Sequence, residues 1–260
     1  WSDKTHDMRV RATVAYDGGP FHGFVVNEDV RTVAGELDDA LSRVVGTTIA
    51  VTCAGRTDRG VHAVGQVVSF DAPDDTDLDR VRRSVNRQCG PSVVLRSLER
   101  AGDDFDARFT ATGRSYRYRV LNRRDPDPFL AGTAWHVRDP LDVPAMQSAA
   151  DHLVGEHDFS SFCRRRKVAT DIAAPKLIRR IETLGWQGPD DDGLLEFTIT
   201  APAFCHQMVR SIVGMLVDVG RGRRSVDDVP AILEARERQA AGGPAPPHGL
   251  ALWSVRYPDA

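Results

Sequence analysis

Long apolar runs are missing from this sequence. Nothing approaches the ~20 consecutive hydrophobic residues of a membrane-spanning helix, so no span is expected. The first residues, Trp1-Ser2-Asp3-Lys4-Thr5-His6-Asp7, lack the basic-then-apolar order of a secretory signal, and a soluble, cytoplasmic protein is the default expectation. Cysteine is scarce. Cys53, Cys89, Cys163 and Cys205 are widely separated and none stands in a C-x-x-C pair, which removes support for a zinc site or a thioredoxin-like motif. Counting leaves two disulfides open, but in a cytosolic chain of 260 residues buried free thiols are the better reading. A surplus of positive charge is also lacking. The formal net charge of −3 argues against a uniformly basic nucleic-acid binder. Lysine occurs only as Lys4, Lys167 and Lys176, so nearly all of the positive charge is arginine, whose planar fork suits phosphate and stacks on bases. No dinucleotide-binding glycine fingerprint is present.

What is there is an ordinary globular composition, 41% hydrophobic and 27% charged, enough for one large domain or two smaller ones. The charges are unevenly distributed. Acidic residues gather at Asp74-Asp75-Thr76-Asp77 and Asp190-Asp191-Asp192. Basic ones gather at Arg108, Arg114, Arg117, Arg119, Arg123 and Arg124, and again at Arg164-Arg165-Arg166-Lys167. Each run alone reads as a solvated face, yet together they allow a basic cleft in a mildly acidic protein, and local potential is what a phosphate feels.

The patterning predicts a strand over 9–16, a helix over 33–45 stopped by Gly46, strands over 49–54 and 64–70, a helix over 77–88 and a strand over 93–100. A second series follows: a strand over 113–121, a helix over 142–154 ended by Gly155, strands over 176–184 and 193–200, helices over 204–219 and 226–239, and a last strand over 250–257. The stretches Arg123–Pro140 and Ala241–His248 read as loop. Two β-α-β-β-α-β series suggest an α+β protein of two ferredoxin-like halves, with antiparallel sheets and helices on one face. The halves are expected at 8–104 and 105–260, flanking the basic cleft, with their junction near Gly102–Phe109.

The most informative segment is the loop Gly55-Arg56-Thr57-Asp58-Arg59-Gly60-Val61-His62-Ala63. It sets two arginines, an aspartate and a histidine between apolar strands, where chemistry is commonly carried on a rigid scaffold. Its glycines allow a tight path and close approach of a ligand. From pattern alone the same loop is equally a hairpin turn in which Asp58 caps backbone N–H groups and Arg56 is a surface charge.

The string from Ala54 to Ala63 closely resembles the signature of TruA-type tRNA pseudouridine synthases, A-G-R-T-D-A/R-G-V-H-A/G. Further segments match in order: Gly65–Phe70; Asp104–Phe109 against D-F-x-A-R-F; Tyr116-Arg117-Tyr118; Gly155–Phe162 against G-x-H-D-F-x-x-F; Phe204–Gly214 against F-x-x-x-M-V-R-x-I-V-G; and Gly249–Leu252 against G-L-x-L. The resemblance implies conversion of uridine to pseudouridine in the anticodon stem-loop of tRNA, at positions 38, 39 and 40, by a homodimer without metal or cofactor. It makes Asp58 the nucleophile, Arg210 its ion-pair partner, and Tyr116 the residue that stacks on the target base and helps remove a proton. Leu250 packs against the uracil and Arg56 holds the RNA. Arg114, beside Tyr116, is expected to face RNA. Arg59, where alanine is common, adds charge beside the nucleophile and is expected to assist binding. His62 and His206 are expected to orient loops. Where relatives read Y/F-x-G-W-Q-x-Q, this chain has Phe21-His22-Gly23-Phe24-Val25-Val26-Asn27, which puts the choice of target uridines in question rather than the reaction. Two rival functions are a non-catalytic RNA-binding module, which has no need of that carboxylate, and a magnesium-dependent phosphoesterase, which needs further clustered carboxylates.

Overall fold

A computed structural model describes residues 7–164 and 177–258. The chain forms two compact units: one runs up to Arg114 and resumes at Ala251, and the other is Ser115–Leu250. The protein is mixed α and β, with mostly antiparallel strand pairings and five α-helices among the described residues.

In the first unit β1, Asp7–Tyr16, alternates strictly, burying Met8, Val10, Ala12, Val14 and Tyr16 on one face as the two-residue period of a strand requires. Helix α1, Val33–Val45, starts where the Thr32 hydroxyl accepts the Gly35 N–H and stops at Gly46 in the left-handed conformation, φ 86°. It buries Val33, Ala34, Leu37, Ala40 and Leu41. The short strand β2, Thr52–Cys53, pairs with β3, His62–Pro73. Helix α2, Leu78–Cys89, is capped by Asp77 and packs against α1, and β4, Val93–Arg100, follows. The sheet runs β4-β1-β3-β2 with every one of these pairings antiparallel. The chain after β4 stays with this unit: the Ser69 hydroxyl accepts the Ala107 N–H at 3.1 Å, and Ala107 is buried with Ala54 and Val67.

The second unit opens within β5, Gly113–Asn122, which turns Tyr116, Tyr118 and Val120 inward. The stretch expected to be all loop contains β6, Trp135–Val137, paired parallel to β5; three residues are too few to display a period in sequence. Helix α3, Val143–Asp151, stops short of Gly155, which does not end it. Gly155 opens β7, Gly155–Asp158, and Phe159–Phe162 then form a 3-10 turn. The strand expected over 176–184 is two strands, β8, Ile178–Ile181, paired with β7, and β9, Thr183–Gln187, with residue 176 outside the described residues. Strand β10, Leu194–Ala201, lies between β5 and β9. Helix α4, Met208–Gly220, starts four residues later than expected because Gln207 sits at φ 64°, outside the helical region. Helix α5, Asp228–Ala235, ends early at Arg236, φ 52°. The final strand β11, Leu250–Arg256, was expected to close the second series. From Ala251 it belongs to the first unit, where it pairs in parallel with β3, Ala251 opposite His62.

Two of the four cysteines depart from the free-thiol expectation. Cys163 and Cys205 form a disulfide with Cα atoms 5.7 Å apart. The turn ending at Phe162 runs beside the residues leading into α4, where the Arg164 N–H donates to the His206 carbonyl at 2.9 Å, and this adjacency joins cysteines 42 residues apart in sequence. Cys53 and Cys89 are free. Among the described residues no helix is long and apolar enough to cross a membrane.

Candidate active site

The loop between β2 and β3 is held from both sides. The ladder of β2 on β3 runs through Cys53 opposite Val68, and the Ala54 N–H still reaches the Val67 carbonyl at 2.8 Å. One residue further the backbone departs, and the side chain of Gln66 takes over. Its Nε2 donates to the Gly55 carbonyl at 2.6 Å and its Oε1 accepts the Gly55 N–H at 3.3 Å. Thr57 is buried, its hydroxyl 2.7 Å from that of Tyr16, and its carbonyl accepts the Phe24 N–H at 3.1 Å. The Asp58 carbonyl accepts the Val61 N–H at 3.1 Å, closing the turn through Gly60 at φ 77°.

Asp58 is half-buried at the tip of this turn, and Arg56 and Arg59 on either side of it are exposed. An anchored backbone thus carries a carboxylate between two cations, an arrangement suited to a nucleophile or base that meets a polyanion. Arg114 bonds the backbone beneath the loop. Its guanidinium donates to the carbonyls of Ala54 at 2.8 Å, Ala111 at 3.2 Å and Arg108 at 2.9 Å, bracing the root of the loop. Nearby, burial pushes the Cys53 thiol up to about 11, partly offset by Arg56 and Arg108. His62 orients a loop: its Nδ1 accepts the Gly18 N–H at 3.1 Å.

The remaining expected site residues lie in the second unit. Tyr116 on β5 is buried to 8% exposure, its ring edge-on to Phe204 at 5.2 Å. Arg210 is half-buried one turn into α4, where Met208, Ile212 and Met215 face the core. Its Nε donates to the Ala245 carbonyl at 2.8 Å, and its own carbonyl accepts the Ala245 N–H at 2.9 Å. The adjacent Pro246 carbonyl takes the Tyr118 hydroxyl at 2.8 Å, and burial raises Tyr118 far above an ordinary phenol, Arg210 opposing. Leu250 is buried at 5%. Of the basic span on and just after β5, Arg117 and Arg119 both turn to Glu196, at 2.9 and 3.6 Å, and Arg123 pairs with Asp127 at 3.0 Å. Arg165, Arg166 and Lys167 of the other basic run lie outside the described residues.

A family model described as tRNA pseudouridine synthase matches residues 12–110 and 149–258, well over half of the chain. The chain belongs to the tRNA pseudouridine synthase family. Among its relatives, tRNA pseudouridine synthase A of Bacillus velezensis is 43% identical over 252 residues, covering 96% of this chain and 99% of that one. The Bacillus subtilis protein of the same name is 41% identical over 252 residues at the same coverage. A solved Cbf5-Nop10-Gar1 complex aligns at a TM-score of 0.36 and 12% identity, over 80% of this chain and 45% of that one, and that likeness carries no functional argument.

Against this family frame, two features of the loop's surroundings escaped sequence reasoning. The first part of the divergent Phe21–Asn27 segment packs behind the loop: Phe21 and Phe24 are each 1% exposed, and Gly23, at φ 103°, leaves room for a Thr57 carbonyl that a Cβ would meet at 3.0 Å, whereas Val25, Val26 and Asn27 are exposed. The second feature is Gln66. A fully buried amide in a strand requires an internal partner, because a buried polar group must be satisfied. Which partner it has depends on where the loop passes.

Proposed function

We propose that Asp58 is the nucleophile through which this tRNA pseudouridine synthase acts. The supporting observation is the Gly55–Ala63 loop itself, with its backbone bonded at Gly55, Thr57 and Asp58 and its half-buried carboxylate between exposed Arg56 and Arg59. The reaction turns uridine into pseudouridine in tRNA and is an isomerisation, so no atom is gained or lost. The Asp58 carboxylate attacks the ribose or base of the extruded uridine and the C1′–N1 bond breaks. The freed uracil turns, C5 bonds to C1′, the bond to Asp58 breaks and returns the free carboxylate, N1 takes up a proton and C5 releases one. Covalent catalysis divides one hard step into two easier ones. Extruding the base costs a few kcal/mol, which phosphate contacts from Arg56 and Arg59 offset.

By the family resemblance Arg210 keeps Asp58 ionised, Tyr116 stacks on the base and assists proton removal, and Leu250 packs against the uracil. The target uridines at positions 38, 39 and 40 of the anticodon stem-loop, a homodimeric state and a cytoplasmic location belong to the same proposal. So does the reading of the units as ferredoxin-like, which the antiparallel order β4-β1-β3-β2 of the first unit supports.

The test incubates unmodified tRNA transcripts with wild type, Asp58→Asn and Arg210→Ala in EDTA, then maps pseudouridine by position. Product at positions 38–40 is expected from wild type alone, with tRNA binding retained by both variants. Turnover by Asp58→Asn at the wild-type rate would overturn the assignment, and wild-type binding without product would favour a non-catalytic RNA-binding module.

A further inference from the structure

We propose that Gln66 and Tyr16 are positioning residues for Asp58, acting as a buried relay that fixes the loop backbone on which the carboxylate stands. The inference rests on Asp58 being the nucleophile. Gln66 has no exposed surface and sits in β3 beside Val67, Val68 and Phe70, each 3% exposed or less. An amide in such a place is costly unless every polar atom is used. Its Oε1 and Nε2 bond the N–H and carbonyl of Gly55, the same pair that a neighbouring strand would bond. The side chain therefore continues the β2–β3 ladder for one residue after the backbone has turned away.

The amide also reaches further. Nε2 lies 3.4 Å from the Tyr16 hydroxyl, which lies 2.7 Å from Thr57 Oγ1. An amide nitrogen only donates, so the Tyr16 oxygen accepts from Gln66, while the Tyr16 and Thr57 hydroxyls bond each other. The contacts run from Gln66 through Tyr16 to Thr57. Tyr16 is 5% exposed and Thr57 7%, so water cannot substitute freely for either bond. One buried side chain thereby sets the residues three and one before Asp58. These groups do not touch the reacting atoms. They act through the loop, whose displacement by a fraction of an ångström changes the angle of attack.

Gln66→Leu and Tyr16→Phe are expected to lower the single-turnover rate of pseudouridine formation by about tenfold to a hundredfold, with the tRNA Kd unchanged, as misplacement of a catalytic group predicts. Gln66→Glu supplies a sharper readout. Protonated, its carboxyl can both donate to the Gly55 carbonyl and accept the Gly55 N–H; ionised, it can only accept. Its rate relative to wild type should therefore rise as pH falls, while Gln66→Leu and Tyr16→Phe stay flat on the same scale. Tyr16→Phe keeps the ring against Phe24, centroids 6.0 Å apart, so it tests the relay even where a Gln66 variant fails to fold. A wild-type rate in Tyr16→Phe, or a loss of rate carried wholly by tRNA affinity, overturns the proposal. Amide hydrogen exchange of the Gly55–Val61 segment reads positioning without catalysis. Faster exchange there in Tyr16→Phe, with β1 and β4 unchanged, supports the relay, and unchanged exchange overturns it. Absence of product from wild type would sink the nucleophile assignment alone and leave the exchange result to decide the relay.

Discussion

Gly18→Ala tests how closely the Gly55–Ala63 loop is backed by the turn after β1. Gly18 donates its N–H to His62 and packs flat against the loop. A Cβ at this position would run into the Val61 carbonyl and lie 2.9 Å from the Val61 nitrogen, backbone that cannot swing aside as a flexible side chain can. Val61 is 2% exposed, and its N–H is the one that closes the turn over the Asp58 carbonyl. Relief of the clash needs a backbone shift on the order of 1 Å, and a misplacement of that size costs a catalytic group about a hundredfold in rate. The overpacking should also cost about 1–3 kcal/mol of stability, or about 2–4 °C in Tm per kcal/mol for a chain of this size. Single-turnover pseudouridine formation on an unmodified transcript measures the first and thermal unfolding the second. Gly102→Ala is the control, because a Cβ there meets nothing within 4 Å. A wild-type rate in Gly18→Ala would refute the claim that the turn and the loop move as one.

Two further outcomes follow from buried groups. Tyr118→Phe removes a hydroxyl that satisfies the Pro246 carbonyl and should destabilise the protein by about 1–2 kcal/mol in urea titration; unchanged stability would mean that the carbonyl finds another donor. Thiol titration of the denatured, unreduced protein should count two cysteines, Cys53 and Cys89, and all four after reduction. In the native protein Cys53 should react slowly at pH 8, because a thiol raised to about 11 holds little thiolate below that pH, and faster only as pH approaches 11. Four reactive thiols before reduction would exclude the Cys163–Cys205 disulfide.

Elements with a full period were legible in the sequence. β1 shows five inward residues at spacing two, and α1 carries both its cap at Thr32 and its stop at Gly46. The short elements were not: β6 and β7 have three and four residues, fewer than a period needs to declare itself, and Gly155 serves a strand start as readily as a helix end. The candidate site divides in the same way. Asp58 and its flanking arginines stand in one contiguous string, where a motif can be matched. The bond of the Arg114 guanidinium to Ala54, sixty residues earlier, has no local pattern to announce it.

The sequence by itself determined the family, the alternation of β1 and β5, and the residue offered as nucleophile, since each rests on residue types at fixed local spacing. Tertiary structure decided what holds that residue still. Gln66 meets Gly55, Tyr16 meets Thr57 and Gly18 meets Val61 across eleven, forty-one and forty-three positions of chain. Such pairings depend on which strand lies beside which, and on where a ladder ends and a side chain must continue it, and no local pattern encodes either.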